Sequence, residues 1–318
     1  MIADAVTVRR VPSYAVKRGI ALALQTPALR KMVKAHAPRV LMSAGNQSNL
    51  SVALACLGTS TASVAKVTNP ICRPGAQGLG QWVRQKRFAA TARLSGLTLT
   101  LSPADATNLL TFVPKDKAKI VSVFNPYVTD AMLATPARGR RADTPKRILS
   151  AGRLGTQKDH ATLLNALARL ARIDWRLDII GDGPHRKALE KYAQDLGIAE
   201  RVSFFGFVDA LAYFQTADIF VLSSRWEGLP AVAIEAMACG AALVSTDCAP
   251  GLTDLLLSTG AAQPAPVGDA DALAGAIDSA LDAGPDDGRL RKASLPWRID
   301  AAIADHLRLF KEQGLLPH

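Results

Sequence analysis

The chain has 318 residues, 49% of them hydrophobic and 5% aromatic, with a formal net charge of +11. That length can hold two domains with sizeable cores. No uncharged apolar run approaches a membrane span, and the first residues lack the basic region and apolar core of a signal peptide, so a cytoplasmic chain is expected.

The charge is unevenly spread. Residues 1–141 carry 20 Lys and Arg against four Asp and no Glu, a balance of +16, while residues 142–318 balance at −5. Such asymmetry points to an anionic partner for the first half: a membrane surface or an acidic glycan. A solvated basic face is the plain alternative. No nucleic-acid-binding motif is present, so nucleic acid is not expected. Cys56, Cys72, Cys239 and Cys248 show no C-x-x-C spacing and read as reduced core thiols.

In chain order, residues 13–37 suit a basic helix kinked at Pro27. Strands are predicted over 38–43, 63–67, 96–101 and 119–123, alternating with helices over 50–57, 81–92 and 103–110. The polar, Pro-bearing segment 135–146 is the predicted boundary. Beyond it come strands over 147–150, 176–180 and 202–205, and two more over 217–222 and 241–245. Helices lie between them, Leu163, Leu164, Leu167 and Leu170 sharing one face. A final helix over 299–310 places Ile303, Leu307 and Phe310 on one side. Strands alternating with helices imply parallel sheets, hence an α/β fold with a doubly wound sheet in each half. The expected divisions are 1–137, a linker over 138–146, 147–295, and a C-terminal helical segment over 296–318 that packs back on the first half.

The most informative stretch runs over residues 223–240. An apolar strand precedes it, Pro230 suits a helix start and Gly240 a helix end. Glu227 lies on the loop leaving the strand's C-terminal edge, where open α/β sheets bind ligands, and Glu235 lies on the helix that follows. The helix's first amides suit a phosphate. Two carboxylates eight apart are weak evidence alone; between a buried strand and a Pro-started, Gly-ended helix they are a specific signal.

This stretch, with Arg225-Trp226-Glu227-Gly228-Leu229-Pro230 and Glu235, resembles the E-x7-E signature of retaining GT-B glycosyltransferases of family 4, or group 1. The resemblance implies two Rossmann-like domains facing a cleft. It also implies a nucleotide-diphosphate sugar, UDP-linked by expectation, as donor, a glycan or lipid-linked acceptor, and cell-envelope or polysaccharide synthesis. It requires no cofactor and no metal.

Carried over residue by residue, Arg153 and Lys158 would neutralise the donor pyrophosphate, Glu227 would orient sugar hydroxyls and Glu235 would hold the ribose. Gly152, Gly181, Gly183, Phe207, Val208, Gly228, Leu229 and Pro230 would line the donor, with Phe207 against the base. Gly181-Asp182-Gly183 read on its own is only a tight turn, and Phe207 on its own equally a core residue. Asp254 falls near a position where relatives often carry Glu. Asp269-Ala270-Asp271 reads as a helix cap rather than a metal motif.

The chain departs from the family pattern at its start, where the usual strand and Gly-Gly loop are not found, so a truncated first domain is expected. It departs again after Lys66-Val67, where Thr68-Asn69-Pro70 stands in place of a frequent His. Asn46 and Asn69 remain the acceptor-side candidates. Two alternatives stay open: a nucleotide-sugar-binding protein without transfer activity, and a nucleotide-sugar epimerase.

Overall fold

The structure, a computed structural model, describes residues 18–71, 78–113, 119–136, 145–261, 263–284 and 288–317, with side-chain surroundings from residue 24 onward. The chain forms two compact units, residues 1–123 with 307–318, and residues 124–306.

In the first unit the elements are α1 (Arg18–His36), β1 (Val40–Ser43), α2 (Asn49–Cys56), β2 (Ala62–Lys66), α3 (Leu79–Leu94), β3 (Leu97–Thr100), α4 (Pro103–Leu110) and β4 (Ile120–Ser122). The four strands are parallel and lie in the order β1-β2-β3-β4. β3 is buried at every position, as a parallel strand covered on both faces should be. One cluster joins Phe88, Ala89 and Ala92 of α3 to Leu109, Val113 and Ile71. A second joins Val64, Leu97, Leu99 and Val123 to Leu309 and Phe310, so the end of the C-terminal helix is part of this unit.

The second unit opens with α5 (Asp130–Leu133). It continues with β5 (Lys146–Ala151), α6 (His160–Ala168), β6 (Trp175–Ile180), α7 (Arg186–Asp195), β7 (Val202–Gly206), α8 (Leu211–Thr216), β8 (Ile219–Leu222), α9 (Ala231–Ala238), β9 (Ala242–Ser245), α10 (Pro250–Ser258), α11 (Ala270–Ala283) and α12 (Arg289–Ala293). α13 (Ile299–Glu312) closes the chain and passes into the first unit. Its five parallel strands run β7-β6-β5-β8-β9. The order reverses direction between β5 and β8, and at such a switch point the loops leaving the two strands diverge and open a crevice. Leu163, Leu164 and Leu167 of α6 pack with Trp175, Ile179, Leu273 and Ile277 on one face of the sheet.

Three sequence expectations change. The units divide at Val123, ahead of the polar segment 135–146, of which residues 137–144 lie outside the described residues. The reason is packing: the Phe124 ring meets Trp297 edge-on at 4.8 Å, and the Tyr127 and Val128 amides both donate to the Trp297 carbonyl. On α13, Phe310 packs as its place on the expected side suggests, but Ile303 and Leu307 of that side are exposed and Ala302 and Leu309 are buried instead. Helix α5, four residues capped by Thr129, carried too little pattern to be read in advance.

Cys56, Cys239 and Cys248 are buried free thiols; Cys72 lies outside the described residues. Among the described residues no helix is long and apolar enough to cross a membrane.

Leu163 is fully buried between α6 and the sheet. Leu163→Ala should lower the unfolding free energy by roughly 2–5 kcal/mol. Chemical denaturation followed by tryptophan emission measures it, and an unchanged midpoint would contradict this packing.

Candidate functional site

The site is built on the two loops that leave β5 and β8 at the switch point. β8 is apolar and buried throughout. The chain then turns through residues 223–230 into α9, with Pro230 at the N-cap, one position before the expected first turn. Gly240 sits at φ 77° beyond the helix, and the bonds Gly240 N–H to Met237 O and Ala241 N–H to Ala236 O complete a Schellman ending. Pro and Gly thus bracket a helix whose face is almost wholly core: Ala233, Ile234, Ala236 and Met237 are fully buried.

Glu227 is the focus of the crevice. Its carboxylate lies 2.9 Å from the Lys158 ammonium, with only 10% of the Glu227 side chain exposed. Ser224 Oγ donates to the same oxygen at 2.9 Å, and Gln157 Nε2 donates to the other at 3.1 Å. The backbone supports this arrangement, because Glu227 N–H donates to Cys248 O and Arg225 N–H to Gln157 O. Ser223 Oγ donates to Lys158 O, and Arg225 pairs with Asp159 at 3.1 Å. The two loops are therefore laced together by side chain and main chain alike. Gln157 and Ser224 were not singled out in the sequence; their only signal there is that they neighbour Lys158 and Glu227.

Arg153 is exposed on the loop after β5, with no hydrogen bond or ion pair among the described residues. His160 is buried at the start of α6. Burial, and then the Lys158 charge, push its pKa down to about 4, so the ring is neutral. Burial pushes the Cys248 thiol up to about 11, which keeps it protonated beneath Glu227.

Three glycines let neighbouring loops touch. Gly152, Gly181 and Gly206 all have positive φ. Gly152 N–H donates to Ile180 O, Leu154 N–H to Asp182 O, and Gly181 N–H to Gly206 O, stitching the ends of β5, β6 and β7. A Cβ on Gly181 would run into the Gly152 carbonyl, one on Gly183 into the Leu154 carbonyl, and one on Gly152 into the Lys158 side chain. The expected Gly-Asp-Gly turn thus sets the approach of the two loops, and Gly152 leaves room for the lysine stem.

Phe207 and Val208 follow β7. Phe207 is 85% exposed, so the alternative that it is a core residue is ruled out. Gly228 is half-buried, and Leu229 and Pro230 are buried beneath the loop.

Glu235 is half-buried on α9, with no hydrogen bond or ion pair among the described residues, and burial raises its pKa. Near it lies Tyr127, whose hydroxyl accepts from Asn125 Nδ2 at 2.6 Å. Burial first, with the Asn125 bond opposing and the Glu235 charge adding, raises that hydroxyl's pKa.

Asp254 is exposed in the second turn of α10, not at its cap. Asp269 caps α11, accepting from the Asp271 and Ala272 amides, and Asp271 pairs with Arg169. In the first unit, Asn46 Oδ1 accepts from Thr68 N–H and its amide reaches the Asn69 carbonyl at 3.5 Å, so the two acceptor-side candidates do meet. The Asn46 side chain is spent on backbone; Asn69 is exposed.

A parallel α/β unit thus holds a cation–carboxylate pair at its switch point, where open sheets of this kind bind ligands. Comparison with known proteins makes the assignment specific. Residues 134–295 match the family model "Glycosyl transferases group 1". Among curated relatives, the lipopolysaccharide core biosynthesis glycosyltransferase LpsE of Rhizobium meliloti is 42% identical over 120 residues, 37% of this chain and 33% of that one. The lipopolysaccharide 1,6-galactosyltransferase of Salmonella typhimurium is 32% identical over 141 residues, 42% of this chain and 38% of that one.

The matched stretches thus span about a third of those relatives. Sucrose-phosphate synthase from Thermosynechococcus elongatus superposes with a TM-score of 0.81 at 20% identity, over 95% of this chain and 82% of that one. HepE from Anabaena, solved with UDP, gives 0.67 at 18%, over 92% and 84%. The chain belongs to the group 1 glycosyl transferases, and its fold is GT-B.

Burial of Glu235 destabilises the protein only where the group is ionised. Its raised pKa means that stability present below the ordinary glutamate range is lost as pH rises through the folded-state value. Glu235→Gln should therefore melt higher than the wild type near pH 8, with the gap closing as pH falls below the ordinary glutamate range. Differential scanning calorimetry across pH checks it; a constant gap would mean that the carboxylate is not desolvated.

Proposed function

We propose that the protein is a retaining glycosyltransferase that moves a sugar from a nucleotide-diphosphate donor, UDP-linked, to a glycan or lipid-linked acceptor in cell-envelope or polysaccharide synthesis. The observation that carries this reading is the meeting of Lys158 and Glu227 at the switch point, on the same loop as an exposed Arg153 that pairs with nothing among the described residues. The names of the lipopolysaccharide relatives and the UDP held by HepE support the donor and pathway class. A relative from Campylobacter jejuni whose name specifies a diphospho-undecaprenol substrate supports a lipid-linked acceptor.

In the reaction the bond from the anomeric carbon to the diphosphate breaks, and the electron pair leaves with UDP. A bond to the acceptor oxygen forms on the same face, and the acceptor's proton passes to the departing phosphate. Charge develops on the diphosphate, and preorganised cations stabilise it there more than in the ground state. Arg153 supplies a fork and Lys158 a point charge.

Lys158 exchanges one anion for another. As the diphosphate draws it away, Glu227 keeps its Ser224 and Gln157 donors and has lone pairs free for sugar hydroxyls. Glu235 accepts from the ribose diol, and Gly152, Gly181, Gly183, Gly228, Leu229 and Pro230 shape the walls. Phe207 and Val208 offer an apolar surface to the base. Asn46 and Asn69 serve the acceptor.

The chemistry runs without a metal. The protein works in the cytoplasm, in peripheral contact with an anionic membrane surface, which the +16 balance of residues 1–141 supports.

Calorimetric titration with UDP, GDP and ADP tests the donor site. UDP should bind, and Glu235→Ala should weaken it by at least about tenfold, the value of a hydrogen bond to a charged group. Arg153→Ala should lower turnover by roughly a hundredfold, in the range of a lost oxyanion donor. Lys191→Ala, far out on α7 in an exposed pair with Asp195, should match the wild type. Turnover should survive EDTA, and the product's anomeric configuration should equal the donor's. UDP binding without product would leave the nucleotide-sugar-binding reading; an epimerised nucleotide sugar would leave the epimerase.

A further inference from the structure

α3 buries one face and leaves the other in an unusual state. Phe88, Ala89 and Ala92 face the core of the first unit. Leu79, Trp82 and Val83 face solvent, 76%, 54% and 51% exposed. Positions 79, 82, 83, 86, 90 and 93 follow the helical repeat, so they form one stripe. Its first turn is apolar and its remainder basic, through Lys86 and Arg93.

The Lys86 ammonium lies 5.6 Å over the Trp82 ring. Beside them a cavity of about 350 Å³ opens, with Trp82, Lys86, Arg93 and Phe112 in its lining and no acidic side chain there among the described residues. Neither Lys86, Arg87 nor Arg93 pairs with a carboxylate among the described residues. Exposed large apolar side chains are unremarkable singly; three on one turn, with Trp at their centre and unpaired cations beyond, are a surface made for a partner that is apolar and anionic at once.

We propose that this face of α3 docks on an anionic lipid bilayer. Leu79, Trp82 and Val83 enter the interfacial layer, where the amphipathic indole is favoured, and the cavity between Lys86 and Arg93 takes a lipid phosphate. A folded protein partner would supply carboxylates that a lipid surface need not, but only a bilayer offers continuous acyl chain and dense phosphate together. The inference gives the anionic-surface reading above a defined location. It does not depend on the donor site, so nucleotide titration and vesicle binding can fail separately.

The test is co-sedimentation of the full chain with vesicles of phosphatidylcholine alone or mixed with phosphatidylglycerol, together with its tryptophan emission. Binding should require the anionic lipid and fall as salt rises. Emission should shift to the blue on binding, and the shift should vanish in Trp82→Phe. Trp175 and Trp297 are buried and Trp226 is half-buried on the loop after β8, so loss of the shift in Trp82→Phe assigns it to the α3 face. Lys86→Glu/Arg93→Glu should weaken vesicle binding by at least about tenfold, and Leu79→Ser/Trp82→Ser/Val83→Ser should abolish it. Both change exposed positions, and unchanged melting would certify folding.

Equal binding to neutral vesicles, or wild-type binding by either folded variant, would overturn the proposal. So would displacement by millimolar inorganic phosphate, which would make the cavity a site for a free anion. Self-association in solution that the triple serine variant removes would assign the face to a second copy of the chain.

Discussion

The Lys158–Glu227 pair is the constraint on which the second unit's organisation turns. Both side chains are almost withdrawn from solvent, and an ion pair in that setting repays its desolvation only when its remaining lone pairs are satisfied. Here they are, by Ser224 on one oxygen and Gln157 on the other. Because these donors come from two loops, the network also fixes the distance between the strands' departing ends. A sheet in which β5 and β8 are neighbours brings the loops near one another; the pair holds them in one geometry. Under the proposed function the pair also orients Lys158, since a lysine already facing an anion needs little reorganisation to face a second.

The glycines act on the same problem from the backbone side. Loops after β5, β6 and β7 approach so closely that a methyl group on Gly152 or Gly181 would meet main chain or the lysine stem. Their positive φ would strain any other residue even with space available. Thus the short hydrogen bonds that stitch the loops, such as Gly181 N–H to Gly206 O at 2.7 Å, depend on residues with no side chain. The crevice floor is then main chain, polar and rigid, while its charged walls are side chains.

Much of this was legible in the sequence, for identifiable reasons. Fully buried parallel strands read as short apolar runs, and Pro230 with Gly240 marked the ends of α9 to within a residue. The loop positions of Arg153, Lys158 and Glu227 followed from strand ends, and the place of Glu235 from the helix after β8. What was not legible is what tertiary contact decides. Ile303 and Leu307 have the periodicity of a buried stripe yet are exposed, while Ala302 and Leu309 are buried and Phe310 packs against the same cluster as Leu309, a choice made by the neighbours of α13 and not by its own pattern. The division at Val123 rests on Phe124 meeting Trp297, a contact 173 residues apart in sequence that no local pattern announces. Gln157 and Ser224 are ordinary loop residues until their partner's carboxylate is placed beside them.

Unsatisfied groups do not by themselves mark a functional site in this protein. Buried hydroxyls without partners occur at Ser95 and Thr98, in the first unit's sheet and its approaches. The candidate site differs in kind. Glu235 is a half-buried carboxylate that nothing among the described residues neutralises, and burial alone raises its pKa. A neutral hydroxyl left unpaired is a modest loss, whereas an ionised carboxylate withdrawn from water is a large one that folding by itself does not recover. Hydroxyl donors from a bound sugar would recover it. Glu227, satisfied from three directions, is held in place by the fold; under the proposed function Glu235 would take its partners from the ligand.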